Sequence, residues 1–155
     1  MMTGLPGVAP EAAIMERIDA IAATRDDALA VAAAVRADEL LALGEAILER
    51  WLQAHGATPT RQTLEGFRLL ALHRQAAKGD PGFNACRETC RELVYHRNLI
   101  RLDAAHPETP RRLRLAAMVA RHLALFIDGR LQAAALGEFC CSSRPLREHD
   151  ATLHE

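Results

Sequence analysis

Between Leu113 and Asp128 the chain is apolar almost all the way round a helix. His122 aside, its polar positions there are Arg114, Arg121 and Asp128, which recur every seven residues and form one narrow seam. A helix with so little polar surface belongs in the middle of a bundle or at a contact between subunits. No stretch shows the period-two alternation of a strand, and no segment repeats. The expected fold is therefore all-α, a single-domain bundle of about five helices.

The other segments read as helices by spacing. Ile14, Ile18 and Ile21 fall at i, i+4 and i+7 and define one face, followed by a stop and restart around residues 24–27. Residues 27–55 stay helical, with Gly56 as the terminating C′ residue and a kink expected near Asp38 or Gly44. A third helix is predicted over residues 61–77, with Leu64, Phe67, Leu70 and Ala71 on its apolar face. A fourth, capped by Asp80 or Asn84, spans residues 83–103. The fifth starts at Pro110, with Thr109 as N-cap, and runs to about Ala135. Residues 1–9 read as a tail, 10–136 as the bundle, and 137–155 as a polar arm.

A chain of 155 residues can bury a core without staples. It is 50% apolar but only 4% aromatic, so Ala, Leu, Ile and Val must build that core. The formal net charge of −1 argues against a general nucleic-acid binder. Charge is nevertheless uneven. Residues 1–60 carry four basic and nine acidic side chains, and residues 61–155 carry fifteen and eleven. No apolar run is long enough to predict a membrane span, and the first residues lack the pattern of a signal peptide. A bacterial cytoplasm, where thiols stay reduced, is the expected compartment.

The fourth helix carries the main anomaly. Viewed end-on, Arg97 falls on the stripe holding Cys86, Cys90, Leu93 and Val94, so a permanent charge sits on an apolar face. Such an arginine must snorkel, pair with an acid, or hold an anion. Asp38, Glu39 and Glu45 are the candidate acids. A second apolar arc, Tyr95, Leu99 and Leu102, lies nearly opposite. Together the two arcs predict a sandwiched helix, one side on the core and the other on a neighbouring helix or a second subunit, and a homodimer is the expected assembly. If Arg97 instead holds a small anionic ligand, the residues around it are Cys86, Cys90, Tyr95 and His96.

The four cysteines do not have the spacing of a four-thiolate site. The seven histidines form no ligand pair, and the Glu-x-x-His signature of di-iron bundles is missing. No metal and no cofactor is expected. A Cys86–Cys90 disulfide is disfavoured within one regular helix, because parallel Cβ vectors give the wrong dihedral. Cys86 does lie in the first turns of its helix, near Arg87 and Arg91, where a thiolate is favoured. That makes a thiol enzyme or redox sensor the second functional reading. A third is weak nucleic-acid binding through Arg111, Arg112, Arg114 and Arg121. No phosphate loop, nucleophile elbow or zinc-protease motif supports an enzyme. The favoured reading is a non-enzymatic binding or interaction module.

Overall fold

The computed structural model describes residues 11–134, and the expected tail and polar arm lie outside them. Six α-helices and one 3-10 helix account for most of these residues. They are α1 (Glu11–Ala22), α2 (Asp26–Val31), α3 (Ala33–Ala54), α4 (Arg68–Ala77), the 3-10 helix Pro81–Cys86, α5 (Arg87–Leu102) and α6 (Thr109–Ala133). Among the described residues there is no strand, only one isolated bridge between Leu64 and Phe67. The all-α bundle is the observed architecture.

Helices α3 and α6 pack against each other and form its spine. Helix α5 packs on both, α1 lies along α6 and α3, and α4 docks on α3. The helix expected to be apolar all round takes this central place. Its Leu113, Ala116, Ala117, Ala120, Leu123 and Ile127 are all buried. The polar seam has a structural use. Arg114 donates to the carbonyls of Ala22 and Thr24 and pairs with Asp26, while Arg121 pairs with Asp19. The seam thus ties α6 to α1 and to the α1–α2 connection. Ile14, Ile18 and Ile21 complete the contact from the α1 side, all buried.

Four expectations change. The 27–55 segment breaks at Ala32 (φ −131°, ψ 48°), upstream of Asp38 and Gly44. Alanine gives no local signal for this break. It follows from tertiary attachment, because Arg114 pins the start of α2 to α6 while α3 crosses the core. Gly44 supports that crossing without a kink: a Cβ there would lie 2.8 Å from Leu93 Cδ2 and 3.3 Å from Leu69 Cδ1. The C-terminus of α3 follows expectation. Gly56 has φ +76°, its N–H reaches the Gln53 carbonyl, and the Ala57 N–H reaches that of Leu52, the Schellman pattern.

The third helix begins at Arg68, seven residues later than its spacing suggests, and this shift creates a wall of the functional site. Glu65 (φ 55°) and Gly66 (φ 86°) both take the left-handed conformation, and Leu64 and Phe67 exchange backbone hydrogen bonds of 3.0 Å around them. That is a tight two-residue turn, which a helix cannot accommodate. Gln75 clasps the preceding loop from α4, accepting from the Thr60 N–H and donating to the Thr58 carbonyl, each at 2.8 Å. The fourth helix also divides, into the 3-10 turn and α5. Asp80 caps the 3-10 turn, accepting from the Gly82 N–H at 3.2 Å. Finally, Thr109 is the first residue of α6 and not its cap; its hydroxyl donates to the Asp103 carbonyl.

Candidate functional site

Arg97 is a paired arginine. Its Nε donates to Asp38 at 3.0 Å, its Nη1 to Asn98 at 2.9 Å, and the guanidinium stands 5.5 Å from the centroid of Phe67. Of the three candidate acids, Glu39 is held by Arg17 and Arg36, and Glu45 by Arg68, which leaves Asp38 shared by Arg97 and Arg101. The stripe reading placed Arg97 on a buried face. In the structure it sits at the rim of that face, where a long side chain reaches solvent along Phe67.

Of the second apolar arc, Leu99 is partly buried and the other two residues are exposed. Tyr95 is 60% exposed and Leu102 84%. Helix α5 buries one side, through Cys90, Leu93, Val94 and Ile100.

The remaining sequence candidates separate into two groups. Tyr95 meets the ring of His96 edge-on at 5.4 Å on the outer part of α5. His96 is half-buried, and its Nδ1 finds no hydrogen-bond partner among the described residues. Burial lowers its pKa and nearby Glu92 opposes the shift without cancelling it. A histidine held below its unfolded value contributes stability above that value and loses it as pH falls through the folded pKa. Urea denaturation should therefore show stability declining below about pH 6.5, the unperturbed histidine value. That decline should be shallower in His96→Phe than in the wild type. An identical slope in both would exclude His96 as its source.

Cys86 and Cys90 form the other group, and both are buried. The sequence had no means of linking them to His73 on α4. The His73 Nε2 and the Cys86 Sγ both contact the carbonyl oxygen of Phe83, at 2.8 and 3.4 Å. Imidazole and thiol are thus held against a single atom. The neighbouring Cys90 thiol and His73 pull the Cys86 pKa down to about 6 against the opposing effect of burial. The same proximity and burial push Cys90 up. His73 is itself raised: burial opposes its charge, but hydrogen bonds to Cys86 and Phe83 outweigh that.

His73 also faces a pocket of about 730 Å³. The loop before α4 supplies Thr60, Gln62 and Leu64, α4 supplies Arg74 and Gln75, the 3-10 turn supplies Asn84, and α5 supplies Arg87 and Arg91. Lys78, just after α4, completes the basic lining, and no lining residue is a carboxylate. Most arginines of the molecule are committed to acids. Arg91 is one, held by Glu65 in a bidentate pair at 2.8 and 3.2 Å. Arg74, Lys78 and Arg87 form no ion pair among the described residues, although Arg87 is near enough to Glu65 to help Arg91 lower that acid's pKa. Three cations without an ion pair thus gather around this concave surface, while Arg61 and Arg112 also form none among the described residues.

The sequence missed this pocket because the 61–77 segment looked helical. An extended loop at residues 57–63 is what makes the wall. In the basic group at the start of the last helix, Arg111 lies near Glu108 and Arg114 and Arg121 are bound to the α1–α2 region, while Arg112 forms no ion pair among the described residues. Among the described residues no cluster of His, Cys, Asp or Glu has the geometry of a metal site. No described helix is long and apolar enough to cross a membrane. The chain matches no family model, no curated protein and no solved structure.

Proposed function

We propose that this protein is a small-molecule-binding module whose ligand is a compact polyanion, a phosphorylated metabolite or a polycarboxylate, held in the pocket between α4 and the start of α5. The observation that carries this reading is the pocket's lining: His73, Arg74, Lys78, Arg87 and Arg91 with no carboxylate, three of these cations forming no ion pair among the described residues. Arginine forks match carboxylate and phosphate oxygens, and a lysine adds a point charge. Thr60, Gln62, Gln75 and Asn84 supply neutral polar groups that can fix orientation. Arg91, already anchored by Glu65, offers a pre-positioned guanidinium.

Thermal denaturation in the presence of pyrophosphate, citrate or a nucleoside monophosphate tests the reading. A ligand at a hundred times its Kd adds about 2.7 kcal/mol. For a chain of this size that raises Tm by roughly 5–10 °C. Arg74→Ala and Arg87→Ala should each weaken binding about tenfold or more, the usual loss for a charge-assisted contact, whereas Arg101→Ala should not. No stabilisation by any of these anions, or the same stabilisation in an Arg74→Ala/Arg87→Ala variant, would remove the proposal.

A further inference from the structure

Cys86 closes the 3-10 helix and immediately precedes α5, with φ −101° and ψ 8°. Cys86 and Cys90 therefore do not lie on one regular helical turn, so the parallel-Cβ objection drawn for a regular helix does not apply to them. Cys86 and His73 share the Phe83 carbonyl, and His73, Asn84 and Arg87 all line the pocket. Both thiols are buried, and Cys86 meets, through the Phe83 carbonyl, an imidazole that lines the pocket.

We infer that Cys86 is a peroxide-reactive modification site and that Cys90 is its resolving thiol. The inference stands on the thiol–imidazole geometry and does not depend on the pocket's ligand. The Cys86 thiolate attacks the terminal oxygen of a hydroperoxide and the O–O bond breaks. Sulfur is oxidised to a sulfenic acid, and the departing oxygen takes a proton from the His73 imidazolium and leaves as water or an alcohol. The Cys90 sulfur, giving up its proton, then attacks the Cys86 sulfur; the S–O bond breaks and water departs. Two thiols and one peroxide become a disulfide, one water from the resolving step and one further water (from hydrogen peroxide) or alcohol (from an organic hydroperoxide). The pair divides the labour as its environments require, with the more acidic sulfur attacking and the less acidic one resolving. Drawing the two sulfurs together would tighten the start of α5 and move Asn84 and Arg87, coupling oxidation to the pocket.

The test uses the full chain with Cys140→Ser and Cys141→Ser, so that Cys86 and Cys90 are the remaining thiols. After equimolar hydrogen peroxide the intact mass should fall by two hydrogens. Trypsin should release a disulfide-linked pair of peptides, since Arg87 and Arg91 provide cleavage sites between and after the cysteines. In the same background, Cys90→Ala should trap a sulfenic acid at Cys86 that dimedone captures, at least about tenfold faster than in the urea-unfolded chain. Cys86→Ala should lose both products. Circular dichroism checks the fold of each variant, and the disulfide map of the Cys140→Ser/Cys141→Ser protein stands without either. Oxidation confined to Cys90, or Cys86 labelling no faster folded than unfolded, would overturn the inference.

Discussion

Phe83→Ala should cost about 3–5 kcal/mol in urea denaturation, the range for emptying a buried aromatic site. Phe83 is fully buried and is the centre of the bundle's aromatic cluster. Trp51 tilts against it at 4.7 Å, Phe126 meets it edge-on at 5.9 Å and His73 lies at 6.0 Å between ring centroids. With aromatics at 4% of the chain, few other side chains can fill the space they leave. The loss also reaches the site, because the Phe83 carbonyl orients His73 and Cys86. Phe83→Leu, which keeps most of the volume, should cost only about 1–2 kcal/mol. A loss below about 1 kcal/mol for the alanine variant would show that the core collapses around the gap instead of depending on the ring.

Arg130→Ala should cost about 2 kcal/mol. The Arg130 guanidinium stands 5.5 Å from the Trp51 ring, 5.4 Å from Phe83 and 5.8 Å from Phe126, and it bonds Asp80 at 2.7 Å. Each cation–π contact contributes about 0.5–1 kcal/mol at a partly exposed site. The half-exposed ion pair adds less than about 1 kcal/mol. Arg130→Met separates the effects, since it retains the stem over the rings and removes the charge. It should recover about half of the loss. A double-mutant cycle with Phe83→Leu should show coupling of at least about 0.5 kcal/mol; strict additivity would exclude a shared cluster.

Much of this architecture was legible in the sequence, and for identifiable reasons. The isoleucine face of α1, the apolar α6 and the Gly56 terminus are local or strictly periodic signals, and periodicity survives folding. What escaped was set by tertiary structure. The break at Ala32 has no local marker. The helix start at Arg68 was hidden because Leu64 and Phe67 fit a helical face as well as they fit the two ends of a tight turn. Glu65-Gly66 was the available signal, a glycine at a position requiring positive φ.

The same reasoning explains the shift of the candidate site. Arg97 drew attention as a charge on an apolar stripe, and pairing with Asp38 accounts for it. Arg74, Lys78 and Arg87 looked like ordinary surface charge on separate segments. They become a group only when the loop before α4 folds over them. His73, three positions from Leu70 on the buried face of α4, belongs to this group as well.

The central claim is that a polyanion binds between α4 and α5. A two-dimensional 15N NMR titration of the full chain with pyrophosphate at low ionic strength tests it most directly. Saturable shifts should concentrate at Gln62, His73, Asn84, Arg87 and Arg91, leave Asp38 and Arg97 unmoved, and weaken as chloride screens the site. An absence of saturable shifts, or shifts centred on Arg97 and Arg101, would contradict the account.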